Sequence, residues 1–167
     1  VLGDATSEED IKNFISGVKE SGEIHAILHC VGSFAVRPPH AMNKEAFETV
    51  ISTNLTSAFL TLSIAGKAML SQGHGRMVFM SSVAGSLGLV NHEAISAAKG
   101  GIESMVRSAA ATYANRGLRI NAVAPGLTDT KLASPIMSNE TASQAASQKI
   151  PIKRVCLLYT SPSPRDG

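Results

Sequence analysis

Three polar residues in the sequence have side chains and positions that could contact a substrate. Ser82 follows the apolar segment 77–80, so its hydroxyl lies at the carboxyl end of a predicted buried strand and could bond a carbonyl oxygen. Lys99 lies in the next predicted helix, and Asn54 falls within an earlier one, although asparagine has a poor helix propensity. Simpler interpretations are a turn formed by Ser81 and Ser82, and a solvent-facing Asn54. The elements that carry these residues decide whether they meet.

Short apolar segments alternate with longer amphipathic ones, which is typical of βα units and a parallel sheet. Strands are predicted at 24–31, 76–81 and 118–123, with Val1 to Gly3 as the end of a further strand. Helices are predicted between Thr6 and Gly22, over 43–70 and over 92–115. The right-handed βαβ rule then gives a doubly wound α/β fold. The three strands should be adjacent, with Asn54, Ser82 and Lys99 converging at their carboxyl ends.

Composition limits the classes of protein that fit this pattern. Of 167 residues, 44% are hydrophobic and 17% charged, as expected for one globular domain and not for a disordered chain. A net charge of +2 without clustered Lys and Arg predicts no nucleic-acid partner. We find no apolar run near the length of a membrane span, so no membrane contact is predicted. Cys30 and Cys156 give neither metal-ligand spacing nor a disulfide framework, so no metal site is predicted.

The C-terminal part of the sequence differs from its centre. Residues 127–150 are polar and rich in Ser and Ala, and we interpret them as a mobile helical lid. From Cys156 to Asp166 the sequence resembles a translated library adapter; the alternative is a native Pro/Ser linker. We therefore expect the domain over 1–155 and a non-native tail over 156–167, with no packing role for the tail.

Several motifs together identify a resemblance. The chain resembles the short-chain dehydrogenases/reductases, especially those similar to bacterial 3-oxoacyl-carrier-protein reductases. The matching elements, in order, are Gly3-Asp4-Ala5-Thr6, His29-Cys30-Val31-Gly32, Thr53-Asn54-Leu55-Thr56, Gly75-Arg76-Met77-Val78, Ser81-Ser82-Val83-Ala84-Gly85, Lys99 and Asn121-Ala122-Val123-Ala124-Pro125-Gly126. The resemblance covers residues 1–155 and implies a Rossmann-type parallel sheet, here truncated at both ends. It also implies NAD or NADP as cofactor and a small carbonyl or hydroxyl compound as substrate.

The resemblance assigns residues to the cofactor. Asp4 would lie beside the adenine, although an aspartate in a helix-entry loop is the simpler interpretation. The backbone at Val31 and Gly32 would lie against the cofactor ribose, and a side chain on Gly32 would collide with the ribose. Lys99 would bind the nicotinamide ribose. Residues expected to reach the carboxamide are Pro125, Gly126, Thr128 and Thr130. The family's usual Asn-Asn-Ala-Gly is His29-Cys30-Val31-Gly32 here, which puts its strand-tying hydrogen bonds in doubt.

The catalytic residues match the family except at one position. The resemblance implies that Ser82 bonds the substrate oxygen, that Asn54 kinks its helix and holds a relay water, and that Lys99 lowers the pKa of a tyrosine four residues earlier. That position, thirteen residues after Ser82, is Ile95. Isoleucine cannot donate the proton that carbonyl reduction requires. His92 is the nearby candidate for a replacement donor, but it also suits an exposed helix N-terminus.

Two functions remain open at this stage. The first is an NAD(P)-dependent oxidoreductase, and the second is a non-catalytic binding or assembly module with the same fold. The glycine-rich pyrophosphate turn is expected to precede Val1, so the 167-residue chain alone is expected to be inactive. We also expect a cytoplasmic protein that forms homodimers or homotetramers through helices 43–70 and 92–115.

Overall fold

The structure, a computed structural model, describes residues 2–158. The chain divides into two compact units at the bond between Ala124 and Pro125. The first unit contains every long helix of the described residues and the three-stranded sheet, and the second contains short elements only. The candidate residues from Asp4 to Lys99 all belong to the first unit.

Helix α1 spans Glu8–Ser21 and begins as the sequence predicts. The Ser7 hydroxyl accepts a hydrogen bond from the Asp10 N–H, and three acidic residues occupy the first turn, where they complement the helix dipole. Ile11 and Ile15 are buried, one turn apart on the same face. Gly22 ends the helix, so this prediction is confirmed.

The second predicted helix is continuous but not uniform. It consists of α2 at Lys44–Ile51, a π-helical turn at Ser52–Thr56 and α3 at Ser57–Gln72. A π turn inserts one extra residue into the helical ladder, and such turns are frequent at functional sites. The turn contains Asn54, which is where the kink was expected.

This helix also contradicts the sequence-based conclusion that no segment has the length and apolar composition of a membrane span. Over Lys44–Gln72, 29 residues, it has the length and composition of a membrane span, with a mean hydropathy of 1.2 in its most apolar window. However, α3 packs in the core of the first unit. Its buried residues are Ser57, Ala58, Thr61, Leu62, Ala65, Gly66, Ala68 and Met69. The core helix of a folded domain has this same composition, so the feature is weak evidence for a membrane.

The three strands form a parallel sheet in the order β1–β2–β3. They are β1 at Ala26–His29, β2 at Gly75–Met80 and β3 at Leu118–Val123. Register pairs His29 with Phe79, and Phe79 with Ala122, so the carboxyl ends of all three strands lie together. The predicted adjacency is confirmed. Strand β1 is shorter than predicted, and Leu2 and Gly3 are not in a strand, while Val1 lies outside the described residues.

Helix α4 spans Glu93–Tyr113 and packs against the sheet and the loop after β2. Its buried face carries Ala98, Ile102, Val106 and Ala109, spaced three or four residues apart. Lys99 lies on the same buried side of the helix. The prediction of helix 92–115 is confirmed to within two residues at each end, with a 3-10 turn at Ala114–Arg116 following it.

The second unit has short regular elements, and all but the last of them lie in the region 127–150 that was interpreted as a lid. They are β4 at Thr128–Asp129, α5 at Ser134–Met137, α6 at Glu140–Gln148 and β5 at Cys156–Leu157. Strand β5 pairs with β4 in parallel, and the Cys156 N–H donates to the Leu127 carbonyl. The prediction that 156–167 has no packing role is therefore wrong for these two residues, because extended backbone can pair whatever side chains it carries. Residues 159–167 lie outside the described part.

Gly117 provides a test of how tightly the strand entrances are packed. Its φ is +84°, and a Cβ there would lie inside the contact distance of the Gly73 carbonyl oxygen. Gly117→Ala should destabilise the protein by more than about 1 kcal/mol, measured by denaturant unfolding. Gly17→Ala is the matched control, since this glycine is exposed within α1 and a Cβ there would meet no atom within 4 Å. That variant should be more stable by about 0.5–1 kcal/mol, and equal effects would contradict the explanation.

Candidate active site

Two polar side chains meet at Gly32, just beyond the carboxyl end of β1. A Cβ on Gly32 would lie 2.9 Å from Asn54 Oδ1 and 3.3 Å from Lys99 Nζ. Glycine at this position therefore avoids a close contact with two of this chain's own side chains, a reason that the sequence alone does not indicate. The approach to a cofactor ribose stays a prediction. The structure thus brings together Asn54 and Lys99, two of the three residues predicted to converge; the third, Ser82, follows the carboxyl end of β2.

Asn54 is completely buried, so the solvent-facing interpretation is wrong. Its Nδ2 donates to Ser33 Oγ at 2.8 Å and to the Val50 carbonyl at 2.9 Å. Its Oδ1 accepts from the Ser33 N–H at 3.1 Å. These bonds join the loop after β1 to the π turn. A buried amide needs such partners, because each polar atom left unpaired would cost about 1–3 kcal/mol.

His29 ties strand β1 to helix α3 through both nitrogens of its ring. The ring is 4% exposed, with Nδ1 3.0 Å from Thr61 Oγ1 and Nε2 3.2 Å from Ser57 Oγ. Ser57 donates its own hydrogen to the Thr53 carbonyl at 2.6 Å. Its oxygen must therefore accept from His29, which assigns the hydrogen to Nε2 and makes Nδ1 an acceptor for Thr61. At this position, where the family's usual residue is asparagine, the imidazole thus bonds two hydroxyl groups of α3.

Burial holds His29 in its neutral form. Desolvation, with a smaller contribution from the Lys99 charge, lowers its pKa to about 4 from 6.5. An added proton would place a second positive charge near Lys99 and break the acceptor role of Nδ1. His29 is therefore suited to holding the π turn in place and not to exchanging protons near neutral pH.

Lys99 is 7% exposed and points to the carboxyl end of β2. Its Nζ donates to the Met80 carbonyl at 2.8 Å. Burial lowers the pKa of the ammonium group, because the charged form loses hydration. A fixed, partly desolvated cation beside Gly32 is suited to holding hydroxyl groups of a bound molecule.

The two adjacent serines have different surroundings. Ser81 is buried, and its Oγ lies 3.1 Å from the Lys99 carbonyl and 2.8 Å from Glu103 Oε1. Ser82 is half-buried, in extended conformation, and its Oγ accepts from the Ala84 N–H at 3.2 Å. Since neighbouring residues of extended backbone face opposite ways, Ser81 holds α4 and Ser82 offers the accessible hydroxyl. Ser82 also caps the 3-10 turn Val83–Gly85, so the turn interpretation is observed for this residue, and its contact with a substrate stays a prediction.

Glu103 was not among the residues predicted from the sequence. Its carboxylate accepts from Ser81 Oγ and from Ser86 Oγ at 2.9 Å, so it clamps the loop after β2 onto α4. These two bonds, in that order of size, lower its pKa. A Cβ on Gly85 would lie 2.9 Å from Glu103 Oε1 and 3.0 Å from the Gly100 N, which explains the glycine. The available signal was its position four residues after Lys99, on the same helix face.

Ile95 packs in an apolar cluster of its own. It is 6% exposed, and its buried neighbours in this cluster are Val50, Ala84, Ala94 and Ala98. The position therefore lies between α2, α4 and the loop that follows Ser82. Isoleucine fills this space with carbon alone, so the side chain stabilises the walls of the site and provides no proton.

His92 lies just before the first turn of α4, which begins at Glu93. Its backbone has φ −107° and ψ 13°, so it does not share the helical geometry that the pairing with Ile95 assumed. Its Nδ1 lies 2.7 Å from the Val90 carbonyl, an acceptor, so Nδ1 carries a hydrogen. Nε2 of the neutral ring is then an acceptor, and it donates a proton only when the ring is positively charged.

Asp4 and Val31 line one groove beside β1. The groove has a volume of about 280 Å³, and Cys30 and Leu28 lie along it as well. Asp4 Oδ1 accepts from both the N–H and the hydroxyl of Thr6 at 2.8 Å, and these bonds lower the pKa of Asp4. Both the helix-entry role and a position beside a groove are therefore observed for this residue.

The remaining predicted residues lie in the second unit. Thr128 Oγ1 donates to the Gly126 carbonyl at 3.3 Å, which closes a tight turn after Pro125. The Thr130 Oγ1 accepts from the Ala133 N–H at 3.3 Å and caps the 3-10 turn Lys131–Ala133. Within this unit, both hydroxyls have local structural roles.

A parallel sheet flanked by helices defines an α/β protein, and in proteins of this class ligands generally bind at the carboxyl edge of the strands, where the buried polar groups lie here. The family described as enoyl-(acyl carrier protein) reductase matches residues 1–158. Cis-4-hydroxycyclohexanecarboxylate dehydrogenase of Sinomonas cyclohexanicum is 35% identical over 152 residues, covering 90% of this chain and 61% of that protein. MabA of Mycobacterium tuberculosis, a 3-oxoacyl-(acyl-carrier-protein) reductase, is 35% identical over 153 residues, covering 91% of this chain and 61% of that protein.

Solved structures share this fold. ElxO with NADP bound superposes with a TM-score of 0.87 at 26% identity, covering 94% of this chain and 64% of that chain. The chain therefore belongs to the short-chain dehydrogenase/reductase family, and the sequence-based identification is confirmed. It spans about 61% of the length of the two curated relatives.

His29 predicts a specific dependence of stability on pH. The folded pKa of about 4 lies below the unfolded value of 6.5, so the unfolded chain binds the proton first and stability falls between pH 6.5 and pH 4. Between pH 7 and pH 5 this histidine should remove about 2 kcal/mol of unfolding free energy. His29→Asn should flatten that part of the curve in denaturant titrations, whereas His40→Asn, at an exposed histidine, should keep it. An unchanged slope in His29→Asn would contradict this account.

Proposed function

We propose that the whole protein is an NAD(P)-dependent oxidoreductase that acts on a small carbonyl or hydroxyl compound. The observation that carries this proposal is the meeting of Asn54 and Lys99 at Gly32, on the carboxyl edge of the sheet. Support also comes from relatives named as a cis-4-hydroxycyclohexanecarboxylate dehydrogenase and as a 3-oxoacyl-(acyl-carrier-protein) reductase, and from NADP bound to ElxO. Lys99 also keeps an ammonium group largely buried, and a buried charge is costly to maintain.

The described residues fit part of such a cofactor. The groove at Asp4 and Val31 is open beside β1, and Gly32 leaves the backbone bare at its end. We infer that Asp4 and Val31 hold the adenine side and that Lys99 bonds the nicotinamide ribose. Residues assigned to the carboxamide are Pro125, Gly126, Thr128 and Thr130. When bound, the cofactor supplies or accepts a hydride at its nicotinamide ring.

Ser82 and Asn54 have different proposed roles: Ser82 contacts the substrate, and Asn54 contacts water. We infer that Ser82 Oγ donates to the substrate oxygen and polarises the carbonyl. Its only protein partner among the described hydrogen bonds is the Ala84 N–H, to which it is the acceptor, so its own hydrogen is available. We further propose that Asn54, at the π turn that kinks its helix, holds a water molecule of a proton relay.

The proton is the difficult part of this reaction. Ile95 cannot donate one, and loss of a general acid typically costs about 10²–10⁴ in rate. His92 could serve only as an imidazolium, since its Nδ1–H is engaged with Val90. If the whole protein is active, we therefore propose that water, or His92 in its charged form, protonates the substrate oxygen.

A non-catalytic module is the alternative function. The observation that favours it is the burial of Ile95 among apolar neighbours, which leaves only hydrocarbon where the acid would stand. In this case the retained Lys99 and Asn54 would recognise a ligand without turning it over. If the whole protein binds the cofactor but reduces no carbonyl substrate at any pH, the result would support the non-catalytic module over the enzyme.

Restoring the phenol tests the two functions. In the whole protein, Ile95→Tyr should raise carbonyl reduction by about 10²–10⁴ if the site lacks only its acid, because Lys99 stands one turn away to lower the pKa of the phenol. Ile95→Phe is the matched control, with the same ring and no hydroxyl, and should give no increase. The assay follows nicotinamide absorbance with a panel of ketones and aldehydes, and binding of NADH and NADPH is measured separately.

The other outcomes are equally specific. If the parent is already active, Ile95→Tyr should change little, whereas Lys99→Ala should abolish most of the rate and His92→Ala should do so only if this residue is the donor. Failure of the whole protein to bind either NADH or NADPH would reject every catalytic version.

We also propose that the protein self-associates as a homodimer or homotetramer, and that it is cytoplasmic. Helices 43–70 and 92–115 are proposed to form the contact, and the first of them exposes Phe47 and Phe59, at 41% and 55% exposure. Phe59 lies in a cavity of about 570 Å³ between α3 and the end of α4, which also contains Tyr113 and Arg116. The free thiols of Cys30 and Cys156 are consistent with a reducing compartment.

Light scattering tests the association. The whole protein should give a dimer or tetramer at micromolar concentration, and Phe59→Glu should shift it toward monomer, because a charge would be desolvated in the contact. Phe14→Glu is the control, at an exposed phenylalanine on α1, outside both helices. A monomer in the unsubstituted protein, or equal effects of the two substitutions, would reject this surface.

A further inference from the structure

Three side chains of types that commonly bind metals lie together at the end of the sheet opposite the candidate active site. Glu23 and His25 lie just before β1, and His74 lies just before β2. One ligand atom from each of these residues lies within 4.8 Å of the other two. They come from segments about fifty positions apart, so only the pairing of β1 with β2 brings them together.

The backbone beneath these side chains is held firmly. The Gln72 side chain accepts from the Ile24 N–H at 3.0 Å and donates to the Ile24 carbonyl at 3.1 Å. The Arg76 N–H donates to the His25 carbonyl at 3.1 Å. Gly73, in left-handed conformation, turns the chain sharply from α3 to His74. The three side chains therefore extend from fixed positions although they are largely exposed.

The distances suit a small cation. His74 Nε2 and Glu23 Oε2 are 3.2 Å apart. Two ligands of one tetrahedral Zn²⁺, at about 2.0–2.2 Å from the metal, would be about 3.4 Å apart. The rings of His25 and His74 are nearly parallel, at 17° with centroids 5.6 Å apart, so both can direct a nitrogen to the same side. Small rotations of exposed side chains would complete the arrangement.

We propose that Glu23, His25 and His74 form a binding site for a divalent transition-metal cation, Zn²⁺ in particular. Two imidazoles and one carboxylate are a donor set that zinc accepts, with water in the fourth position. The site lies away from Gly32, Asn54 and Lys99, so its role is to join the entrances of β1 and β2. It does not depend on the proposed oxidoreductase activity.

Zinc titration of the 167-residue chain tests the proposal. The measurement is made in a Cys30→Ser, Cys156→Ser background, so that the free thiols do not bind the metal. Isothermal titration with zinc chloride should show one site per chain. His25→Ala and His74→Ala should each weaken binding by at least about tenfold, since even changes outside the ligand shell cost that much.

Two further variants make the result decisive. Glu23→Gln removes the carboxylate charge with little change in shape and should also weaken binding. His40→Ala, at an exposed histidine on the 3-10 turn Pro39–Ala41, should leave the affinity unchanged. Zinc should raise the melting temperature, an effect reversed by chelator and lost in His74→Ala, because a ligand that binds only the folded state stabilises it.

Zinc affinity equal in His25→Ala, His74→Ala and the parent, or no binding at all, would overturn the proposal. The contact between His74 and Glu23 would then be an ordinary hydrogen bond. Circular dichroism of each variant confirms that it is folded, and Glu23→Gln decides the question if either alanine variant is not.

Discussion

The burial of Asn54 is the constraint on which the rest of the site depends. An amide that is fully removed from water must find partners for both of its polar ends, and it finds them in Ser33 and Val50. The helix opens into a π turn at this residue, and the loop after β1 passes so close that a Cβ at position 32 would lie 2.9 Å from Asn54 Oδ1. Lys99 reaches the same glycine from α4, so the two polar side chains enclose one stretch of bare backbone.

His29 shows how a departure from the family pattern is accommodated. The imidazole ties β1 to Ser57 and Thr61 of α3 through its two nitrogens, and Ser57 in turn bonds the Thr53 carbonyl of the π turn. This solution requires a neutral ring, and burial beside Lys99 makes the neutral form strongly preferred. The architecture of the site is thereby maintained, but its stability becomes dependent on pH.

Ile95 differs from His29 in its effect, because this substitution removes a proton donor and leaves the surrounding structure intact. The side chain is buried in its own apolar cluster, while Lys99 and Asn54 still meet at Gly32. A missing hydroxyl leaves no unpaired polar group behind, so the fold has no reason to change. Family membership and fold are for this reason insufficient to establish catalysis.

The sequence by itself determined the order of helices and strands, the parallel sheet, the capping of α1 and the unusual position of Asn54. These follow from periodicity, capping residues and the βαβ rule, all of which act over short distances along the chain. Only the tertiary structure decided which of two adjacent serines is accessible, that Glu103 clamps the loop, that His29 bonds two hydroxyl groups of α3 and that His74 meets Glu23 and His25. Each of these depends on contacts between residues 17 to 51 positions apart, and spacing along the sequence does not encode which side chains the packing of the sheet will bring together.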